Sequence, residues 1–438
     1  MASRFKIFSD PVHGFISVPK NLILALIQSP EVQRLRRIRQ LGIGYLVFPG
    51  ADHTRFGHAL GAMALMQDAL ANLTEKGTPI SPEEHTAALA AALLHDIGHG
   101  PFSHTLEHTL IEDFNHETMS RALLADLNER LGGALALTVE MFDGDYPRPF
   151  FHQLVSSQLD MDRLDYLRRD SYYTGVVEGE VGVQRIIKTL RVHPLEGGPD
   201  ASIVIEFKGV YAVESFLIAR RLMYWQVYLH KTVVSGDHLL RAIFDRVRWH
   251  LEHGRSARVA GASPALLYFL ERRLCESNVW DPEVRDVYRE LDDSDVLYSL
   301  KKWQLAEDGI LADLCRRFLN RDFFRVSFLA EDPGAEDIEG WRGQIAEWLV
   351  ANGRSHRSTA AFDSDFYLCA GRSHHSAYEN IEDSIRVLDR EGRVRELSES
   401  TDTASVQALT HFVVKPYVCY PKEVPLAGVE RTWTEASV

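Results

Sequence analysis

Apolar residues recur at helical spacing through most of the chain as far as about residue 320. Leu22, Leu26, Val32, Leu35 and Ile38 stand among charged neighbours and predict a helix over 22–41. A Pro/Gly turn at 49–54 leads into a second helix from about Arg55 to 70. The stretch SPEEHTAALAAALLHDIG (81–98) predicts a third: Ser81 suits the N-cap, Pro82 the first turn and Glu84 the third helical position. Gly98, Gly100 and Pro101 end it. Similar spacing predicts helices over 116–131, 150–172, 181–190, 211–250, 264–277, 293–304 and 308–319. In ASIVIEFKGVY (201–211) β-branched residues alternate instead, which predicts a small β-hairpin.

Beyond Arg321 the pattern changes. DFFRVSFLA, DFYLCAG, SIRVLD and HFVVKPYVCY alternate as strands do, and GWRGQIAEWLVANG lies between them as a helix. EDPGAEDIEG (331–340) reads as a polar connection. The expected fold is a mostly α-helical domain over 1–320 with a small β-hairpin, followed by a smaller C-terminal α/β lobe over 321–438.

At 438 residues the chain is too long for a single hydrophobic core, which agrees with two units. The four cysteines, Cys275, Cys315, Cys369 and Cys419, lie 40 or more residues apart with no C-x-x-C pair. That pattern disfavours a zinc ribbon or disulfide framework and suits a reducing compartment. The start has no apolar leader, and the most apolar run, AALAAALL at 87–94, is too short to span a bilayer. The expectation is a cytoplasmic protein without a membrane segment. A net charge of −14 argues against broad nucleic-acid binding, so any polyanionic ligand requires local charge inversion. One candidate is QRLRRIRQLG (33–42), with four arginines in six residues; composition alone makes it a solvated helix face.

The chemistry concentrates in LLHDIGHGPFSHTLEH (93–108), which holds His95, Asp96, His99, His104 and His108. Adjacent helical residues point about 100° apart, so His95 and Asp96 can flank one ion. Histidine and carboxylate together accept Mg, Mn, Fe or Zn. Further ligand candidates are His58 in TRFGHALG, and Asp160, Asp162 and Asp165 in SSQLDMDRLDYLRRD. Without them the His-Asp pair reads as a helix terminus eased by an imidazole. Asp162, Tyr166 and Asp170 stand at i, i+4 and i+8, one face of a helix with Arg169 beside it, and form a wall suited to a sugar phosphate. Gly98 and Gly100 let a ligand approach the backbone, and His99 and His104 follow that turn toward a phosphate. A bound metal lowers the pKa of its water from ~16 toward ~7, and a histidine near ~6.5 can protonate a departing alkoxide. This division of labour is phosphoester or phosphoanhydride hydrolysis. His108 and His53 fit surface or capping positions better. No Walker A, G-x-S-x-G, Rossmann glycine pattern or H-E-x-x-H competes.

The ordered set His58, His95–Asp96 and Asp162 resembles the HD-domain metal-dependent phosphohydrolases. DPVHGFISVP, QRLRRIRQLG, FPGADHTRFGHALG, LLHDIGHGPFSH, FNHE, DMDRLDYLRRD and YLHK resemble, in order, the deoxynucleoside triphosphate triphosphohydrolases within that superfamily. The likeness is greatest to the sterile-alpha-motif/HD-domain branch, without the sterile-alpha-motif domain. It is dense over roughly 1–240, with the metal-site core at about 45–180. The resemblance implies an HD-domain core whose metal ligands are His58, His95, Asp96 and Asp162. It implies His104 as general acid toward the 5′-oxygen, His99 at the α-phosphate and His116 in support. Arg55, Arg163 and Arg220 are then expected to hold the triphosphate, Tyr166 and Asp170 to face the sugar, and Gln40 and Leu41 the sugar and base. Tyr228 is expected to crowd the 2′ position, where a buried hydroxyl finds no partner.

The implied reaction is water attack at the α-phosphorus, releasing a deoxynucleoside and intact triphosphate. Lys6, Gln33 and Arg36 match the family's activating-nucleotide site, whereas Gln28 replaces the acid that reads guanine there. Leu229 departs from the family's glutamine near the base. The remaining arginines of 33–42 are left for subunit contacts, since the family implies a homo-oligomer, a dimer or tetramer. Two alternatives stay open: an HD phosphohydrolase acting on another nucleotide or phosphoester, and a nucleotide-sensing protein with a vestigial site.

Overall fold

The computed structural model describes residues 4–194, 201–375, 384–400 and 413–429, apart from the side chains of His104, His374, His375 and Val413. The helical body is built on Arg55–Glu75, whose inward face is lined by Ala59, Ala62, Met63, Met66 and Leu70, all buried. Two other helices pack against it, Pro82–Leu94 and Met161–Thr174. The crossing with Met161–Thr174 is close because residue 61 is glycine: a Cβ there would come within 1.9 Å of Asp165 Oδ1. The expected capping box at Ser81 is present, with Glu84 N–H donating to Ser81 Oγ at 3.1 Å and Ser81 N–H to Glu84 Oε2 at 2.7 Å. That helix ends at Leu94, earlier than the spacing implied, so His95 to Gly98 form a turn.

Several long helices are interrupted. The 22–41 segment is two short helices, Leu22–Ile27 and Pro30–Arg34, because Ser29 caps a new start at Pro30 and directs the chain elsewhere. The 150–172 segment breaks between Phe150–Val155 and Met161–Thr174, where Asp160 accepts from Arg163 N–H and begins a new helix. The 211–250 segment breaks at a π-turn, Tyr224–Tyr228, between Val210–Met223 and Lys231–Glu252. The helix read over 264–277 stops at Glu271. The helix read from 340 starts earlier, as Ala335–Ala351, so half of the 331–340 connection is helical.

The strand Ala201–Glu206 forms as expected, but its antiparallel partner is Leu190–Pro194 and the chain re-enters helix at Val210. The hairpin Phe5–Asp10 and Gly14–Pro19 and the helices Ala136–Asp143 and Pro282–Glu290 form in addition to the expected elements.

Beyond Leu319, Val413–Tyr420 is the central strand of an antiparallel sheet with Arg325–Phe328 and Cys369–His375. Its Val418 and Cys419 are buried, with Cys419 facing Ser235 of Lys231–Glu252. Arg386–Leu388 and Val394–Glu396 extend the sheet begun by Leu190–Pro194, since Arg386–Leu388 runs parallel to Ala201–Glu206.

Candidate active site

Three helices deliver the metal-ligand candidates to one point. His58 comes from the first turn of Arg55–Glu75, His95 and Asp96 from the end of Pro82–Leu94, and Asp162 from the first turn of Met161–Thr174. His58 Nε2 lies 3.1 Å from His95 Nε2 and 3.0 Å from Asp162 Oδ1, and His95 Nε2 lies 3.5 Å from the same oxygen. Asp96 closes the group, 3.4 Å from His95 Nε2 and 3.7 Å from His58 Nε2.

The tautomers follow from the outer partners. His95 Nδ1 sits 2.8 Å from the carbonyl of Ala92, which can only accept, so Nδ1 carries the proton. His58 Nδ1 donates in the same way to Asp165 Oδ2 at 2.8 Å. Both Nδ1 atoms are thus committed outward, and the two inward Nε2 atoms face each other 3.1 Å apart beside the Asp162 carboxylate, where a proton or a metal cation can be shared. The residues fit a divalent metal. Burial works against charge on His58, but with no metal bound the Asp162 and Asp165 carboxylates override it and push the imidazole up to about 10, so a proton sits on Nε2 and a metal would displace it. Asp96 is held well below the usual carboxylate range despite its burial, by His95, Arg55 and His99.

Behind His58 stands a buried network that the motif-by-motif reading passed over. Asp165 accepts from His13 Nε2 at 2.6 Å and from Arg169 Nε at 2.8 Å. Arg169 reaches Asp10 at 2.8 Å, and Asp10 in turn accepts the N–H groups of Val12 and His13 at 2.9 Å. The DPVHG turn thus braces the metal side of the site. Arg169, read as neighbouring a sugar wall, instead serves this network and is 1% exposed.

A second cluster adjoins the first. His99 Nε2 lies 3.2 Å from Asp96 Oδ1, and its ring stacks on His116 at 3.8 Å. Burial, then Arg55 and His116, depress the His99 pKa well below its ordinary value, so the ring is neutral. His116 Nδ1 is held by Glu107 at 2.6 Å, a partner that only the fold reveals. Arg55 ion-pairs with Asp96 and donates to Ser103 Oγ at 2.8 Å and 3.0 Å. The side chain of His104 lies outside the described residues.

Both clusters open into a cleft of about 440 Å³. Gln40, Leu41, Tyr166, Asp170 and Tyr228 line it beside Asp162 and Arg163. Asp170 accepts from Tyr228 Oη at 2.8 Å and sits 2.7 Å from His53 Nε2. His53 is therefore buried inside the site, not on the surface. Burial, then the Asp170 charge, holds the Tyr228 phenol well above its ordinary range, so it stays protonated and donates. Arg163 donates to Asp160 at 2.5 Å. Arg220 is not among the residues lining the cleft, although its charge reaches Tyr166. Sequence reasoning also missed Glu117, Arg121, Phe142 and His152 on the cleft wall; no spacing ties them to the ligand motifs.

Of the activating-site candidates, Gln33 accepts from Arg36 Nε at 2.9 Å, and Arg36 lies over the Phe56 ring. Lys6 lies on the N-terminal hairpin, and no contact joins it to them among the described residues. His108 is exposed in a separate surface depression with Arg241 and Arg248.

Residues 55–170 match the family described as HD domain, and residues 181–255 match the HD associated region. The chain is 34% identical to the uncharacterized protein YwfO of Bacillus subtilis over 98% of this chain and 95% of that one. The human deoxynucleoside triphosphate triphosphohydrolase is 31% identical over 56% of this chain and 45% of its own length. The solved structure of a phosphohydrolase from Bacteroides thetaiotaomicron superposes with a TM-score of 0.87 at 41% identity, covering 95% of this chain and 99% of that one.

Proposed function

The chain belongs to the HD-domain phosphohydrolase family, and from that premise we propose that it hydrolyses deoxynucleoside triphosphates to deoxynucleoside and inorganic triphosphate. The observation that carries this reading is the pair of facing imidazole Nε2 atoms beside Asp162, at a cleft lined by Arg55 and Arg163 together with Tyr166, Asp170 and Tyr228. Members of the family bind divalent metals, and His58, His95 and Asp162 would hold one here, with Asp96 beside them at 3.4 Å from His95. When bound, the metal supplies Lewis acidity and neutralises phosphate charge.

The chain's own residues account for the rest. Arg55 and Arg163 meet the phosphates, and the charge of Arg220 reaches the same site at Tyr166. Neutral His99, stacked on His116, orients Asp96 and faces the α-phosphate, and His104 gives the 5′-oxygen its proton. The Tyr228 ring stands 6.1 Å from that of Tyr166, with its hydroxyl donating to Asp170, so discrimination against a 2′-hydroxyl rests on crowding by that ring. Gln33 and Arg36, joined on the surface, are the basis for an activating nucleotide, and assembly as a homo-oligomer belongs to the same reading.

Asp162→Ala should lose bound metal and turnover while keeping its circular dichroism spectrum. Chromatography of products from a panel of deoxynucleotides, ribonucleotides and monophosphates is the accompanying assay. Full activity in the variant, or phosphate or pyrophosphate in place of triphosphate from the wild type, would overturn the reading.

A further inference from the structure

Arg34 differs from the other arginines of its run. It is neither solvated nor free for a subunit contact: it is 1% exposed inside the body. Its Nε donates to Leu291 carbonyl at 2.8 Å and its NH1 to His99 carbonyl at 2.9 Å. Tyr288 packs beneath the guanidinium at 4.7 Å and donates its hydroxyl to the Gly98 carbonyl at 2.8 Å. Residue 100 must be glycine for this, since a Cβ there would come within 2.9 Å of Tyr288 Oη.

The held segment needs such support. Phe102 (φ 53°) and Ser103 (φ 49°) are consecutive non-glycine residues in the left-handed region, which side chains disfavour. Phe102 N–H donates to Asp293 Oδ1 at 2.9 Å. The other oxygen, Asp293 Oδ2, accepts the N–H of Arg39 at 3.0 Å. One buried carboxylate therefore bridges two strips of backbone. The first leads through Ser103 and Arg55 to Asp96 on the metal side. The second leads directly to Gln40 and Leu41, which line the same cleft. Burial pushes the Asp293 carboxyl up to about 6 against the N–H groups of Arg39 and Phe102, which leaves it ionised at neutral pH and able to accept from both.

We propose that Asp293, backed by Arg34 and Tyr288, is a positioning unit that sets the separation between the metal wall and the Gln40–Leu41 wall of the cleft. This rests on the cleft being the active site, but not on which nucleotide enters it. An asparagine at 293 can accept from only one of the two N–H groups and presents its own donors to the other. Asp293→Asn should keep its metal and lower kcat by tenfold or more at temperatures well below its melting point, and Asp293→Glu should recover part of that loss. Tyr288→Phe, which keeps the ring and loses the hydroxyl's bonds to Gly98 and Arg34, should lower kcat severalfold.

Amide hydrogen exchange gives a readout independent of turnover. In Asp293→Asn, exchange should rise together in residues 97–103 and 38–41 and stay unchanged in Lys231–Glu252. A lower melting temperature with wild-type kcat and unchanged exchange in both segments would overturn the proposal. Absence of triphosphate release by the wild type would instead overturn the assigned reaction while leaving the exchange result to stand.

Discussion

His58 can offer its Nε2 lone pair only while Nδ1 keeps a proton, and Asp165 is the group that keeps it there. Asp165 is itself fixed by His13 and Arg169, so its charge and direction are both determined. Partners of this kind are worth roughly 10- to 100-fold in metal affinity. Asp165→Asn should therefore weaken metal binding by about that factor, measured by chelator competition with elemental analysis, with His58 and Asp162 intact. An unchanged affinity would mean that the outer network does not tune the ligands. The ligand candidates were legible because they sit in short motifs of fixed order. Asp10, His13 and Glu107 were not, since each acts on a residue that only the fold brings near: His13 lies 152 positions before Asp165. His53 was misread for the same reason, because its partner Asp170 is 117 positions away.

Helices matter here through how closely they cross. Gly61 lets Met161–Thr174 lie against Arg55–Glu75, and an added Cβ would meet Asp165 Oδ1 at 1.9 Å and Arg169 at 2.5 Å. Gly61→Ala should cost about 1–3 kcal/mol by overpacking and lower metal content too, because the displaced carboxylate is the His58 partner. Denaturant midpoints and metal analysis check both effects, and a fully stable, metal-replete variant would contradict the crossing as the determinant. The helix Lys231–Glu252 carries a pH-sensitive contact to the C-terminal sheet. Its His238 accepts from Tyr417 Oη at 2.6 Å, and burial, then Arg241, pushes the imidazole down to about 4. A depressed imidazole contributes stability that is complete above its unfolded pKa of ~6.5 and is lost as pH falls toward the folded value, up to about 3 kcal/mol. His238→Gln should shrink the stability difference between pH 7 and pH 4.5 by up to that amount; an unaltered difference would contradict it. At this scale, well-capped helices such as Pro82–Leu94 were readable. Those interrupted at Ser29, Asp160 and Tyr224 were not, because apolar spacing continues across a break while the chain changes direction.

For the molecule as a whole, the change of texture near residue 320 correctly announced strands, but strand partners lie far along the chain and no local pattern specifies them. Arg386–Leu388 adds to the sheet begun by Leu190–Pro194, which ties the end of the chain to its helical body. The net charge of −14 also takes on meaning only when the fold is known. Arg55, Arg121 and Arg163 line the cleft beside Asp96, Glu117, Asp160, Asp162 and Asp170, and Arg55 and Arg163 are ion-paired to Asp96 and Asp160, so a polyanionic ligand there would need a bound metal to invert the local charge. Water attack at the α-phosphorus of a deoxynucleoside triphosphate at this site is tested most directly by turnover in 18O-labelled water followed by mass spectrometry of the products. One 18O atom is expected in the released triphosphate and none in the deoxynucleoside; label in the deoxynucleoside, or in free phosphate or pyrophosphate, would rule out that attack.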